Sequence, residues 1–108
     1  MEYTNEQIDF FGDEIVKVLK TIYDPEIPVD IYDLGLIYDV QISTEGQAEI
    51  LMTLTSPNCP VAESLPLEVE EKITSIEGIN SAKVKLTFEP TWTRDMMSEE
   101  AKFELGFL

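Results

Sequence analysis

The stretch YDVQISTEGQAEILMTLT, residues 38–55, decides how this chain folds. Tyr38, Val40 and Ile42 alternate with Asp39, Gln41 and Ser43, and Glu45-Gly46 then marks a turn. Beyond it Ala48, Ile50, Met52 and Leu54 alternate with Glu49, Leu51, Thr53 and Thr55. A period of two on both sides of a turn predicts a hairpin with one buried face and one more polar face.

Before the hairpin the period changes. Ile8, Phe11, Ile15, Val18 or Leu19, and Ile22 recur at three- and four-residue steps, while Glu6, Asp9, Asp13 and Lys17 face away. That pattern predicts an amphipathic helix over residues 5–22. Thr4 and Gln7 have the spacing of a capping box. Asp24-Pro25 ends the helix, because the residue before a proline is pushed out of helical geometry. Residues 23–35 then form a loop with two prolines and four carboxylates, Asp24, Glu26, Asp30 and Asp33. Loops of that length without regular structure are uncommon in compact domains and often functional.

After the hairpin, Ser56-Pro57-Asn58-Cys59-Pro60 leads into a second helix carrying Val61, Leu65, Val69, Ile73 and Ile76. Pro66 inside it is expected to kink or divide it, and Gly78 to stop it. Val84, Leu86 and Phe88 alternate with Lys83, Lys85 and Thr87 as a third strand, closed by Pro90. The tail over 92–108 reads as a turn and a short helix capped by Ser98, with Glu99 and Glu100 in its first turn and Gly106 at its end. The order α-β-β-α-β-α predicts a single small α+β domain over 1–108: a core over about 5–90 and a C-terminal turn and helix over 91–108. Its three-stranded sheet carries the helices on one face. The other face is half polar, with room for a partner or a second subunit.

Composition narrows the function. Among 108 residues, 22 acidic and 7 basic side chains give a net charge of −15. Such a chain is repelled by phosphate backbones and anionic lipid headgroups, so neither nucleic acid nor membrane is expected as a partner. A hydrophobic content of 44% in periodic runs argues against disorder. No apolar run approaches a membrane span, and the first residues lack the basic and apolar regions of a signal peptide, so the cytoplasm is the expected compartment. A single cysteine makes no internal disulfide. There is no histidine, which removes the usual neutral-pH acid–base residue.

Cys59 carries the most chemical potential. In a strand-to-helix turn before a proline suited to a first helical position, a thiol faces unpaired N–H groups and a positive helix end. Both favour thiolate, and they act at contact distance, whereas distant surface charge is screened beyond roughly 8 Å. The bland reading is a small buried hydrophobe. Asp24, Glu26 and Asp33 suit a hard or borderline metal, and with Cys59 a mixed iron or zinc site. Alternatively, Asp24, Asp30 and Asp33 are turn formers bonding nearby amides, and Glu26 is solvated. Thr53 and Thr55, on one predicted strand face, are candidate donors or ordinary strand residues. Trp92 reads as a core plug and Met96-Met97 as packing. No phosphate-cradling glycine loop, Cys-x-x-Cys pair or Ser/His/Asp set is present, so conventional hydrolase chemistry is not expected.

Three segments together are specific: Asp24-Pro25-Glu26-Ile27-Pro28-Val29, Asp33-Leu34-Gly35-Leu36-Ile37, and Met52-Thr53-Leu54-Thr55-Ser56-Pro57-Asn58-Cys59-Pro60. They resemble the SufT/PaaD-like family, long catalogued as domain-of-unknown-function family fifty-nine, which includes the cytosolic iron–sulfur targeting factors of eukaryotes. Pro90-Thr91-Trp92-Thr93, Ser98-Glu99-Glu100-Ala101 and Leu105-Gly106 resemble that family's C-terminal segment. The likeness spans roughly residues 8–108, so the fused oxidase or ATPase arrangements found among relatives are not expected.

The resemblance implies an iron–sulfur-assembly domain, a role in maturing iron–sulfur proteins, Cys59 as key residue, and Pro25, Gly35, Pro57, Pro60 and Trp92 as structural positions. Asn58 stands where the family often has glycine, and asparagine tolerates left-handed geometry. Arg94 stands where the family often has proline, which touches only the tail. A typical cluster takes four protein ligands. One cysteine per chain, or two in a homodimer, cannot store it. What remains is transient ligation of a cluster or iron at Cys59, completed by a partner, a small thiol or nearby carboxylates, or docking through the Cys59 loop; Asn58 is a supporting candidate. Expected partners are iron–sulfur scaffold or client proteins, with a homodimer left open, and turnover of a small substrate is not expected. Two other classes stay in view: a thiol enzyme or redox sensor using Cys59, and an interaction or oxygenase-maturation subunit without metal chemistry.

Overall fold

Thr4 starts the first helix as its sequence predicts. Its hydroxyl accepts from the Gln7 amide at 3.2 Å while the Gln7 side chain accepts from the Thr4 amide at 2.9 Å. Helix α1, Asn5–Leu19, buries Phe11, Ile15 and Leu19. In this computed structural model the described residues are 2–24, 27–55 and 64–106. The helix ends before Ile22, yet Ile22 is fully buried, so the apolar stripe outlasts the helical hydrogen bonds.

The hairpin is present, with shifted ends. Strand β1 is Ile37–Ile42 and strand β2 is Gln47–Met52. They pair antiparallel, Val40 opposite Ile50 and Ile42 opposite Ala48, with the register shifting between Ile37 and Asp39. The expected extension of β2 to Thr55 is corrected: the ladder stops at Met52, and Met52, Thr53 and Leu54 are all buried in succession. A strand with one solvated face cannot bury three consecutive side chains, so the period of two ends where the chain turns into the core.

Helix α2, Ser64–Thr74, buries Leu65, Val69 and Ile73. Pro66 does not divide it. The described span of the helix runs through the proline without interruption. Strand β3, Ser81–Leu86, runs parallel to β2, giving the sheet order β1-β2-β3. Its expected reach to Phe88 is shortened by two residues. As an edge strand it leaves Leu86 and Phe88 each 38% exposed despite their alternation.

Ala48, Ile50 and Met52 point from one sheet face into a core shared with the apolar stripes of α1 and α2. The opposite face carries Asp39, Gln41, Glu49, Lys83 and Lys85, with Lys85 Nζ 2.7 Å from Glu49. The tail forms a 3-10 turn, Arg94–Met96, and helix α3, Glu99–Glu104, whose Ser98 cap accepts from the Ala101 amide at 3.2 Å. Met97 and Ala101 join the core. No described helix is long and apolar enough to cross a membrane.

Candidate functional site

The loop between α1 and β1 is ordered by its own carboxylates. Asp24 is buried, and its Oδ1 accepts from the Ile27 amide at 3.2 Å. Asp30 Oδ2 accepts from the Asp33 amide at 2.9 Å. A short carboxylate side chain three residues before an amide closes a turn in this way. Two backbone bonds then bind the loop to itself and to the segment that follows α1: Ile31 to the Ile22 carbonyl at 2.8 Å and Leu36 to the Ile31 carbonyl at 3.1 Å. Val29, Ile31, Leu34 and Leu36 are buried, so the segment is a core layer despite its prolines and acids.

Asp30 is the electrostatically unusual member. Burial pushes its carboxyl above the ordinary carboxylate value; the Asp33 amide pulls it down, while the side-chain hydrogen bond and the charge of Asp33 push it further up. The sequence pattern presents Asp30 only as a turn former. The signal that singles it out is its place between Val29 and Ile31, both of which must be buried.

Three contacts fix the tail onto this loop and the start of β1. The Trp92 indole donates to the Leu34 carbonyl at 2.7 Å, the Ser98 amide donates to the Asp33 carbonyl at 2.8 Å, and the Tyr38 hydroxyl donates to the Pro90 carbonyl at 2.7 Å. Trp92 is half-buried and acts as a clamp as well as packing material. Between those contacts Gly35 adopts φ +82°, and a Cβ there would collide with the Met96 carbonyl oxygen and sit 2.8 Å from its carbon. Only glycine meets both demands. Tyr38 reads from sequence as an ordinary strand residue; it lies at the register shift of β1, which turns its ring toward the tail.

The same loop holds the chain that leads toward Cys59. The Thr53 amide donates to the Leu36 carbonyl at 2.8 Å, and Thr53 itself is completely buried, its hydroxyl donating to the Leu54 carbonyl at 3.4 Å. Thr55 is half-buried. The two threonines therefore do not share a strand face as expected, since both follow the last ladder residue. Of the residues singled out from sequence, Asp24, Asp33, Gly35, Thr53, Thr55 and Trp92 are placed by the structure, and the loop, the tail and the end of β2 bring them into one continuous assembly. Cys59, Pro25, Glu26, Pro57, Asn58 and Pro60 lie outside the described residues. Among the described residues no group of three or more carboxylates is arranged to hold a metal ion.

Comparison with known proteins adds a second line of evidence. Residues 12–86 match the family described as "Iron-sulfur cluster assembly protein". A "Fe-S protein maturation auxiliary factor" of Porphyromonas gingivalis is 54% identical over 96 residues, covering 89% of this chain and 91% of that protein. The Bacillus subtilis factor YitW, described in the same words, is 40% identical over 94 residues, covering 87% and 92%. In three dimensions, a domain of unknown function (family DUF59) from Bacillus anthracis superposes with a TM-score of 0.88 at 34% identity, covering 97% of this chain and all of that one.

Proposed function

The chain belongs to the iron–sulfur cluster assembly protein family, and on that premise we propose that it is an accessory factor in assembling iron–sulfur clusters or delivering them to client proteins, acting at Cys59. The observation that carries this reading is the 54% identity, over nine-tenths of both chains, to a protein described as an iron–sulfur maturation auxiliary factor. The cluster is cargo here. With one cysteine per chain and no histidine, the protein cannot supply the four ligands that a resident cluster commonly requires. A donor that holds its cargo through one thiolate, with the other positions filled by a partner or a small thiol, releases it when a client offers more ligands. Incomplete coordination thus fits delivery.

The described framework supports the reading by what it holds still. Thr53 and Leu54 are buried, and the Thr53 amide is bonded to the Leu36 carbonyl, so the described chain is anchored to the core up to the end of β2 and just beyond it. Clamping by Trp92 and Ser98 makes the acidic loop part of the same rigid support. Asp24 and Asp30 direct carboxylate oxygens at the loop's own amides, so their part is to order it.

Anaerobic reconstitution of the wild type and Cys59→Ala with iron and sulfide, read by absorbance and iron content, tests ligation. The wild type is expected to retain iron and a charge-transfer band that the variant loses. Equal iron in both proteins removes Cys59 as a ligand.

A further inference from the structure

A second surface lies away from the loop–tail assembly. Strand β1 is an edge of the sheet, and between it and α1 runs a groove of about 540 Å³. Its apolar lining runs from Ile8 and Val16 on the helix to Val40 and Ile42 on the strand. Gly12 leaves the middle of the helix side without a side chain, and the nearest atom to a Cβ placed there is Ile42 Cδ1 at 4.0 Å. Three carboxylates, Asp9, Asp13 and Asp39, line the groove, and among the described residues no lysine or arginine does. Lys20 stands beside it, over the ring of Tyr32 at 5.5 Å from the centroid.

The strand edge is guarded by one of those acids. The Val40 amide points away from β2 and donates to Asp39 Oδ1 at 3.0 Å, while Asp39 Oδ2 accepts from the Gln41 side chain at 3.1 Å. An unpaired edge amide is a template for another strand, and an acid folded over it blocks casual pairing. It also sets a condition on any strand that does pair: it must displace Asp39 from Val40 and satisfy the freed carboxylate.

We propose that this groove docks an extended, lysine- or arginine-bearing apolar segment of a partner protein, which adds a strand to the β1 edge. Backbone hydrogen bonds to Val40 and Ile42 would supply affinity; on the helix side of the added strand, apolar side chains would pack on Val16 and Ile42 and cations would meet Asp9 and Asp13, and cations on its other side would meet the displaced Asp39. Charge complementarity selects this occupant over a second copy of the chain. Two copies joined through this face would set three carboxylates against three on molecules each carrying −15. The proposal concerns partner docking and does not depend on what Cys59 carries.

The test uses the full chain and a valine–lysine peptide of about ten residues, capped at both ends, in which Val-Val-Lys-Lys repeats so that both strand faces carry valine and lysine, against a valine–glutamate peptide of the same pattern and length. Binding is read by fluorescence anisotropy and by amide shifts. The valine–lysine peptide is expected to bind and to shift amides of 8–16 and 37–42, and the valine–glutamate peptide is expected not to bind. Asp9→Asn/Asp13→Asn should weaken binding about tenfold, the loss of two ion pairs at a partly desolvated surface. Glu71→Gln/Glu77→Gln, which removes equal charge elsewhere, should leave it unchanged. Gly12→Leu should abolish binding while keeping the fold, since the Cβ has room and leucine favours helix more than glycine does. Equal weakening by both charge pairs, or shifts spread over the whole surface, overturns the proposal in favour of non-specific charge attraction. A wild-type dimer that Gly12→Leu converts to monomer overturns it in favour of a second copy.

Discussion

Two single positions show how tightly the loop–tail junction is specified. Gly35 has both a positive φ and the Met96 carbonyl against its missing Cβ. Gly35→Ala is therefore expected to cost more than the roughly 1 kcal/mol of an ordinary positive-φ glycine substitution, because a backbone carbonyl has to move as well. Urea denaturation measures it, and a loss under about 0.5 kcal/mol would show that the tail yields freely. Asp30 gives a pH signature. Its folded-state pKa is raised, chiefly by burial, so the folded form binds its proton more tightly than the unfolded form does. Its contribution is then most favourable below the unfolded value of 3.8 and is lost as the pH rises through the raised folded value. Asparagine keeps an acceptor for the Asp33 amide without the charge. Asp30→Asn should gain stability relative to wild type on going from acid to neutral pH, as followed by thermal melts across that range, and a pH-independent difference would refute the assignment.

At the scale of elements, the sequence is legible wherever a period runs uninterrupted. The capping box at Thr4, the apolar stripe of α1 and the paired alternation of β1 and β2 can all be read from it, because each is a local rule acting on adjacent residues. The ends cannot. Thr53 and Leu54 keep the strand's alternating letters after the ladder has stopped and yet are both buried, the Thr53 amide taking as its partner the Leu36 carbonyl in the loop before β1, which no local rule reveals. Pro66 reads as a breaker, yet the described span of α2 runs through it. Trp92 shows the same limit in the site: its presence suggests packing, but its indole donation to Leu34 joins residues 58 apart and has no local signature.

For the molecule as a whole, family membership and the cysteine count bear on different questions. Membership rests on most of the chain and on a superposable fold, and it carries the role in iron–sulfur maturation. The count of one cysteine and no histidine limits how that role is performed, because it leaves one strong soft ligand per chain. The acidity also divides into parts. Asp24 and Asp30 order the loop, Asp9, Asp13 and Asp39 line the groove at the sheet edge, and others such as Glu71 and Glu77 are exposed on the surface. The central claim, delivery through Cys59, is tested most directly by activation of an apo client enzyme from a cluster-loaded scaffold, with wild type or Cys59→Ser added at equal concentration. Wild type is expected to raise the initial rate of activation well above the scaffold-only rate, and Cys59→Ser to leave it at the scaffold-only rate although circular dichroism shows the same fold. Equal acceleration by both proteins would contradict the account.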